Sequence, residues 1–312
     1  MKDEIRFQDR IILAIRNVVS FAPKLRLIKK PRYHKDGVTF VVVVKDEERW
    51  IKTCLQSIQD AADEIIVVDS SVEDNTTKIV ETLAADNKKI KHIKFYYNGP
   101  NAIALAHQIG LTCANYKWIF KWDSDDIAKS PQVLQEWIDR LKRLDPNRYY
   151  VIDVSRIHLK GDLEHQYRPK PFGSYEFRLF TWSPELRWGI VNTNEHVIGD
   201  SIWGQRFPPW FKIMRWHEPY IFHCDIKSPK RSVIRKYWED YMICKESRCT
   251  SLEEYATYRI HEEYGTSMEE AIKKEIEQMT KELCPYDKTQ YGELPEQLKR
   301  SQTTAYSSST FS

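Results

Sequence analysis

The fold is decided by the stretch Val38-Thr39-Phe40-Val41-Val42-Val43-Val44-Lys45-Asp46-Glu47-Glu48. Its first seven residues are almost all β-branched, which is the pattern of a strand buried on both faces. Its last four residues are charged, so the strand ends where the charges begin. Strands of this kind occur in parallel sheets that are covered by helices on both sides. We therefore expect this stretch to lie inside such a sheet.

Strand and helix patterns alternate on the C-terminal side of this stretch. This alternation predicts right-handed βαβ units, and hence an α/β fold with a parallel sheet between helices. The predicted strands cover residues 64–69, 90–97 and 116–122, and the predicted helices cover residues 46–59, 76–85, 102–114 and 131–144.

Three of the predicted strands end in acidic or polar residues. The first runs into residues 45–48, the second into Asp69-Ser70, and the fourth into Asp123-Ser124-Asp125-Asp126. In parallel sheets such ends share one edge, and ligands bind there. Carboxylates that lie close together raise each other's pKa unless something cationic lies between them. The spacing of Asp123 and Asp125 lets both face one hard cation, which suits Mg²⁺ or Mn²⁺.

These segments together resemble the family 2 glycosyltransferases with the GT-A fold, which use nucleotide sugars. The interval of 13 positions between Gly110 and Asp123 is the one expected between the family's helix glycine and its metal motif. Two departures occur: Ser70-Ser71 lacks the glycine usual in the family, and His107-Gln108 stands where Arg-Asn is common. The matching segments follow the family's order over residues 38–48, 54–58, 63–76, 106–110 and 118–126.

The resemblance implies a Rossmann-like, mostly parallel sheet sandwiched by helices. It also implies metal-dependent, inverting transfer of a sugar from a nucleoside diphosphate sugar, with UDP as the expected nucleotide, to a glycan or glycolipid. The residues implied to bind the nucleotide sugar are Val44, Lys45, Asp46, Glu47, Asp69 (which accepts a hydrogen bond from the base), His107 (which reaches a phosphate), Asp123 and Ser124. The residues implied to hold Mn²⁺ or Mg²⁺ are Asp123, Asp125 and His223.

Structural alternatives stay open at several of these positions. Asp69 could cap a helix, and His223 could be a hydrogen-bonded structural histidine. For Asp126, capping or solvation is the expected role. Three tryptophans in a stretch rich in Gly, Pro and Arg are candidates for stacking against an acceptor sugar. These tryptophans are Trp203, Trp210 and Trp216.

The acceptor half contains a candidate general base. Inverting transfer needs a group that takes the proton of the acceptor hydroxyl as its oxygen attacks the anomeric carbon. The segments Arg178-Leu179-Phe180 and Asn194-Glu195-His196-Val197-Ile198 resemble a family segment in which Glu195 falls on the family's glutamate. Glu195 is the predicted base, and Asp200 and Glu185 are the reserves. A salt bridge from Glu195 to Arg178 or Arg187 is the structural alternative.

The N-terminal region is basic. The chain of 312 residues has a net charge of +3, which argues against nucleic-acid binding by bulk electrostatics, but residues 1–37 hold ten Lys or Arg against four Asp or Glu. Apolar residues recur there at helical spacing. Such a helix can contact an anionic membrane through residues 5–35, or it can pack on the body of the protein. With no membrane span in the sequence, we expect a cytoplasmic protein, with attachment to the inner face of a membrane left open.

The sequence predicts four segments. They are a basic amphipathic helix and linker (1–37), a GT-A domain (38–225, with a nucleotide half over 38–130 and an acceptor half over 131–225), a helical extension (226–300) and a disordered tail (301–312).

Two other functions fit parts of the pattern. Phosphotransferases of the haloacid dehalogenase type also carry Asp-x-Asp after a buried strand. Their motif usually lies on the first strand and has Thr or Val where this chain has Ile127. A non-catalytic glycan-binding module on a transferase fold is the third possibility, and the intact pair of Asp123 and Asp125 argues against it.

Overall fold

A computed structural model describes residues 7–31, 35–97, 102–167, 175–191, 194–198, 207–243 and 249–299. The predicted tail at 301–312 lies outside them. In chain order the elements are α1 (Phe7–Val19), β1 (Lys35–Val44), α2 (Ile51–Ile58), β2 (Glu64–Asp69), α3 (Thr76–Asp86), β3 (Ile90–Lys94), α4 (Ala102–Cys113), β4 (Tyr116–Asp123), β5 (Asp126–Ala128), α5 (Pro131–Lys142), β6 (Tyr149–Lys160), β7 (His165–Tyr167), β8 (Tyr175–Thr181), β9 (Arg187–Val191), β10 (Asn194–Ile198), β11 (Phe211–Asp225), α6 (Pro229–Arg235), α7 (Trp238–Ile243), α8 (Leu252–Tyr264), α9 (Met268–Glu282), β12 (Leu283–Pro285) and α10 (Lys288–Tyr291).

The predicted α/β fold class is confirmed. Among the described residues, one sheet has the strand order β12-β7-β6-β8-β4-β1-β2-β3; β11 also pairs with β6, and β5 pairs with β11. The strands β4, β1, β2 and β3 are parallel neighbours, as the alternation of strands and helices predicts. The strand β8 runs antiparallel between β4 and β6, whereas β11 runs parallel to β6. The strands β9 and β10 form a separate hairpin.

The strand β1 is buried on both faces. Its even-numbered side chains, such as Phe40, pack in one apolar cluster with Leu55 of α2 and Trp137 of α5. On the other face, Val41 packs in a second cluster that includes residues of α4. A Cβ atom at Gly110 of α4 would lie 2.3 Å from Cγ1 of Val41, so the glycine permits the close approach of α4 to β1.

The helix α2 begins five residues later than the sequence pattern predicts. Its predicted start was residue 46, but α2 begins at Ile51 because residues 45–50 form a loop. Asp46 has a left-handed backbone with φ of 49°. Its carboxylate oxygen Oδ1 accepts hydrogen bonds from the backbone amides of Val72 and Glu73, both at 2.9 Å. These contacts with a distant loop outweigh the local helical pattern.

The strands of the second half are longer than the short β runs in the sequence suggest. The strand β6 has 12 residues and β11 has 15. Their parallel register places His158 opposite His223, and the short strand β5 places Asp126 opposite His223 from the other side. This pairing brings the end of β11 to the end of β4. Beyond β11, α6 packs against α8 and α9.

None of the described helices is both long enough and apolar enough to cross a membrane.

Candidate functional site

The three strand ends that carry acidic residues lie side by side. In the strand register, Val44 at the end of β1 is the partner of Asp69 at the end of β2. On the other side of β1, Val43 is the partner of Asp123 at the end of β4. The structure therefore brings these predicted site residues to one edge of the sheet, where parallel sheets bind ligands.

Residues 44–47, which the family resemblance assigns to a nucleotide pocket, form the end of β1 and the start of the following loop. The backbone amide of Asp46 donates to the hydroxyl of Ser71 at 2.9 Å, and the amide of Glu47 donates to the hydroxyl of Thr76 at 2.8 Å. Ser71 lies between β2 and α3, and Thr76 is the first residue of α3, so hydrogen bonds to this region hold the loop. Its role in binding a nucleotide stays a prediction.

Glu47 connects this loop to the acidic end of β4. Its side chain is buried, and burial together with the negative charge of Asp125 raises the pKa of Glu47 to about 6. Arg231 of α6 approaches it, with Nη2 at 3.9 Å from Oε2 of Glu47. The same Arg231 nitrogen donates to the backbone carbonyl of Asp46 at 2.9 Å. A segment from the C-terminal side thus covers the loop.

Asp69 is fully surrounded by protein donors. The backbone amide of Ser71 donates to Oδ1 at 2.8 Å, while Thr77 and Lys94 donate to Oδ2 at 2.8 and 2.9 Å, and His92 contacts Oδ2 at 2.9 Å. Burial alone would raise the pKa of Asp69, but the Ser71 amide and the Lys94 ammonium outweigh it and lower the pKa to about 2. Its predicted contact with a nucleotide base is not tested by this geometry.

Four potential metal ligands converge at the end of β4. One ligand atom from each of Asp123, Asp125, Asp126 and His223 lies within 4.8 Å of the others. Asp123 ends β4, Asp126 begins β5, and His223 lies on β11 directly opposite Asp126. The structure brings together the three predicted metal residues. It also corrects the expectation for Asp126, which is fully buried rather than solvated because β5 inserts it against β11. Ser124 is half-buried in the turn between them.

Two buried arginines balance part of this negative charge. Nη1 of Arg156 lies 2.9 Å from Oδ2 of Asp123 and 3.1 Å from Oδ1 of Asp126. Arg178 also contacts Asp123, and its Nη1 lies 3.0 Å from Oδ2 of Asp126. Burial would raise the pKa of Asp123, but Arg178 and Lys121 outweigh it and hold the pKa well below its usual range.

Asp125 has a different set of partners. Nδ1 of His223 lies 3.3 Å from Oδ1 of Asp125, and Nζ of Lys227 lies 3.4 Å from Oδ2. Burial would raise the pKa of Asp125, but the His223 cation outweighs it and lowers the pKa. Conversely, burial would lower the pKa of His223, but Asp125 outweighs it and raises the pKa to about 9. Lys227 also pairs with Asp225 at 3.0 Å.

The donor set fits a hard divalent cation. Three carboxylates and one imidazole provide the oxygen and nitrogen ligands that Mn²⁺ accepts, and the carboxylates suit Mg²⁺. Asp125 and His223 face each other. The negative charge of Asp125 is balanced by the protonated imidazole of His223 and by the ammonium of Lys227. A divalent cation can replace both of these charges without leaving a carboxylate unpaired.

His107 lies beneath a tryptophan on the neighbouring hairpin. It is 2% exposed, and its ring stacks on Trp188 with the centroids 4.3 Å apart. The next residue of α4, Gln108, accepts a hydrogen bond from the backbone amide of Trp188 at 2.9 Å. Lys121 lies near the same indole ring, 5.5 Å from its centroid. These contacts attach the hairpin to α4, and the predicted phosphate contact of His107 stays a prediction.

The predicted base lies on that hairpin. Glu195 belongs to β10 and pairs with Ile190 of β9. Its side chain lies outside the described part of the chain, as do all atoms of the reserve base Asp200, so neither assignment is tested. The second reserve, Glu185, is exposed in the loop before β9.

The candidate acceptor tryptophans have different outcomes. Trp216 is 2% exposed and packs edge-on against Trp137 with ring centroids 5.0 Å apart, so the expectation that it floors an acceptor pocket is wrong. Strand β11 directs its ring into the core beside Arg140. Trp210 is half-buried. Trp203 lies outside the described residues.

Sequence reasoning missed the partners that surround the acidic cluster. The sequence assigns no role at this cluster to Arg156, Arg178 or Lys227. These residues lie 33, 55 and 102 positions from the carboxylates that they contact, so local patterns do not connect them. One signal was available. Arg156 and Arg178 each interrupt an apolar strand pattern, and a charged residue inside a buried strand needs a buried partner of opposite charge.

The chain is similar to known proteins over more than half of its length. Residues 39–209 match the family model described as "Glycosyl transferase family 2". A TPR repeat-containing protein of Synechococcus elongatus is 26% identical over 188 residues, which are 60% of this chain and 41% of that protein. An uncharacterized glycosyltransferase of Rickettsia bellii is 29% identical over 166 residues, covering 53% of this chain and 52% of that protein. The chain thus spans about half the length of these curated relatives.

Two solved structures illustrate the similarity in fold. The mannosyltransferase PcManGT of Pyrobaculum calidifontis has a TM-score of 0.42 and 16% identity, and the similarity covers 94% of this chain and 91% of that one. TarS 1-349 of S. aureus has a TM-score of 0.41 and 14% identity, covering 73% of this chain and 72% of that one.

Proposed function

The chain belongs to glycosyl transferase family 2, and we propose that it transfers a sugar from a nucleoside diphosphate sugar to a glycan or glycolipid acceptor. We further propose that the transfer depends on Mn²⁺ or Mg²⁺ and inverts the anomeric carbon. UDP is the proposed nucleotide. The observation that carries the proposal is the convergence of Asp123, Asp125 and His223 where β1, β2 and β4 end together.

The proposed binding site uses the edge of the sheet on both sides of β1. The loop at residues 44–47 and Asp69 lie on the β2 side, where the base and ribose would bind. Asp123 and Ser124 lie on the β4 side, where the diphosphate would follow. This order is supported by the strand register, because β1 lies between β2 and β4.

Asp125 and His223 would hold the divalent cation, with Asp123 as the third ligand. A bound Mn²⁺ or Mg²⁺ supplies positive charge that stabilises a departing diphosphate. Arg156 and Arg178 fix the carboxylates of Asp123 and Asp126 in position, and Arg178 favours the charged form of Asp123. Lys227 and Arg231 approach from the C-terminal side, so they are placed to accompany the negative charge of a diphosphate.

Glu195 is the proposed general base on the acceptor side. Inversion requires the acceptor oxygen to attack from the face opposite the leaving diphosphate, so the base must lie away from the metal ligands. The hairpin that carries Glu195 is attached to α4 through Gln108 and Trp188, and the Trp188 ring lies 5.5 Å from the ammonium of Lys121, two residues before Asp123. This arrangement supports the proposal.

A panel of nucleotide sugars tests the activity. We expect hydrolysis of one of them in the presence of Mn²⁺ and its loss in a chelator. Hydrolysis that is equal in chelator would contradict the metal dependence. Phosphatase activity without nucleotide-sugar hydrolysis would contradict the transferase proposal, as would glycan binding that is indifferent to nucleotide and metal.

Two substitutions separate the candidate bases. Glu195→Gln is expected to lower transfer about 10²- to 10⁴-fold and to leave UDP binding unchanged, because a base acts on the acceptor and not on the nucleotide. Glu185→Gln, in the exposed loop before the same hairpin, is the matched control and is expected to retain normal transfer. Near-normal turnover of Glu195→Gln would move the base to another residue, with Asp200 next to be tested.

A further inference from the structure

The helix α1 contacts the rest of the protein partly through polar groups. Where the burial of its side chains is described, Arg16 is 1% exposed, and Ser20, directly after the helix, is 0% exposed, while Leu13 and Val19 are half-buried. The Arg16 guanidinium donates to the backbone carbonyls of Phe207 and Pro208, both at 2.7 Å. Arg148 donates to the Ser20 hydroxyl. These hydrogen bonds fix which side of α1 faces the protein.

The opposite side of α1 is apolar and faces outward. Ile11, Ile15 and Val18 are 44%, 43% and 72% exposed. With 3.6 residues per turn, these three positions share one face, and that face lies opposite Arg16. An ordinary surface helix buries its apolar stripe against the core. The helix packs on the body of the protein, as one of the two expectations from the sequence has it, but Ile11, Ile15 and Val18 face away from that contact.

The turn after α1 continues the exposed apolar surface. Arg26 has a left-handed backbone with φ of 62°. The amide of Arg26 donates to the carbonyl of Pro23 at 3.2 Å, and the amide of Leu27 donates to the carbonyl of Ala22 at 3.0 Å, which is the hydrogen-bond pattern that ends a helix. Leu25 and Leu27 are left 66% and 75% exposed. We name this surface the outer apolar face; it consists of Ile11, Ile15, Val18, Phe21, Leu25 and Leu27.

Positive charge borders the outer apolar face. Residues 20–31 contain four basic residues and no acidic one. All four are exposed, and Asp145 lies 3.5 Å from the ammonium of the first. The four basic residues are Lys24, Arg26, Lys29 and Lys30.

We propose that the outer apolar face docks onto a lipid bilayer whose surface is anionic. Exposed aliphatic side chains can enter the boundary between headgroups and acyl chains, while the bordering cations attract lipid phosphates. The charge also argues against a second copy of this chain as the occupant. A two-fold interface would place the same cations of both copies close together, where they repel.

Docking would also position the proposed active site. Arg16 donates to the carbonyls of Phe207 and Pro208 in the segment that leads into β11, and β11 carries His223. The contact with the bilayer and the acidic cluster are therefore connected through one strand. The docking proposal does not depend on the proposed reaction, because the binding it predicts requires no nucleotide, metal or acceptor.

Co-sedimentation of the full chain with vesicles tests the proposal. We expect binding to phosphatidylcholine vesicles that contain phosphatidylglycerol, weaker binding to pure phosphatidylcholine, and a loss of binding as salt rises. The double variant Leu25→Glu with Leu27→Glu is expected to lower the partition coefficient at least about tenfold. The matched control is Tyr264→Glu with Ile276→Glu, which changes exposed apolar residues of α8 and α9 and is expected to bind as the original chain does.

Circular dichroism and thermal unfolding establish that each variant is folded. A second double variant, Lys29→Glu with Lys30→Glu, leaves the apolar residues intact and is expected to bind anionic vesicles more weakly and with less dependence on salt. The proposal is overturned if the original chain does not co-sediment with anionic vesicles at low salt, or if the variant Leu25→Glu with Leu27→Glu binds them as strongly as the original chain. It is also overturned if light scattering shows that the original chain is a dimer, that the variant Leu25→Glu with Leu27→Glu is a monomer, and that the original chain does not bind vesicles.

Discussion

Asp69 and Asp125 are buried carboxylates at the same edge of the same sheet, yet their surroundings differ. The partners of Asp69 lie 2 to 25 positions away in the chain and belong to one unit of β2, α3 and β3. The partners of Asp125 include Lys227, 102 positions away, and His223. Asp69 is the only carboxylate in its hydrogen-bond network among the described residues, whereas Asp125 lies with Asp123 and Asp126.

This difference separates a carboxylate whose charge is balanced by protein groups from a candidate metal ligand. At Asp69, one negative charge meets an ammonium, an imidazole and two further donors, so its charge is balanced without a metal ion. At Asp125, three carboxylates converge. Their charge is balanced in part by the proton of His223 and by Lys227, which also pairs with Asp225. Perturbed groups of this kind concentrate at functional sites.

The largest effect is expected from Asp125→Ala. Removing this charged ligand is expected to weaken Mn²⁺ binding by about a thousandfold, or about 4 kcal/mol. Electron paramagnetic resonance of free Mn²⁺ measures the affinity directly. Asp69→Asn, at the end of β2, is the matched control and is expected to bind Mn²⁺ as the original chain does. Equal losses in both variants would remove the distinction between the two carboxylates.

The free energy of unfolding is expected to fall more when Asp69 is replaced than when Asp125 is replaced. Asp69→Ala leaves Lys94 and His92 without their buried partner, which costs about 3 kcal/mol of the free energy of unfolding. Asp125→Ala is expected to cost less than Asp69→Ala, because His223 keeps Asp126 and Lys227 keeps Asp225 as ion-pair partners. Urea denaturation of both variants checks this order, and a larger loss in Asp125→Ala would show that Asp125 is the structural residue.

The acid dependence of stability is expected to identify Asp69. Its pKa in the folded chain is about 2, against a usual value of 3.8, so its contribution is complete above the usual value and is lost as the pH falls towards the folded value. The difference in stability between the original chain and Asp69→Asn is expected to shrink by about 2 kcal/mol over that range. Urea titrations at a series of pH values measure it. A constant difference would mean that the carboxylate is not held in its charged form by its partners.

The smallest effect on Mn²⁺ affinity is expected from replacing the lysines that pair with the two carboxylates, Lys227 at Asp125 and Lys94 at Asp69. Lys227→Met removes a cation that competes for Asp125, so Mn²⁺ affinity is expected to rise on the order of tenfold. Lys94→Met removes the corresponding cation from Asp69 and is expected to leave Mn²⁺ affinity unchanged. Calorimetric titration with Mn²⁺ compares the pair. A decrease for Lys227→Met would mean that Lys227 supports the metal site instead of competing with it.

Local periodicity was enough to predict the centre of the fold. The β-branched run of β1 and the acidic ends of β2 and β4 are features of neighbouring residues, and the parallel arrangement follows from general rules of connection. The shared edge of Asp69 and Asp123 therefore followed from the sequence alone. The start of α2 did not, because Asp46 takes its conformation from hydrogen bonds with a loop beyond β2.

Contacts between distant segments could not be predicted. Nothing near Asp123 in the sequence indicates that Arg156 and Arg178 pair with it, because this pairing depends on the order of β6, β8 and β4 in the sheet. The same limit applies to α1. Helical spacing identifies its apolar face, but only the hydrogen bonds of Arg16 determine that this face is turned outward.

The central claim is that a divalent cation binds beside Asp125 at the end of β4. A crystal soaked with Mn²⁺ and UDP tests it most directly, through the anomalous scattering of manganese. The account predicts one anomalous peak in contact with Asp125 and His223, with the UDP diphosphate completing its coordination. Bound UDP with no peak there, and with Asp125 still paired to Lys227 and His223, would contradict it.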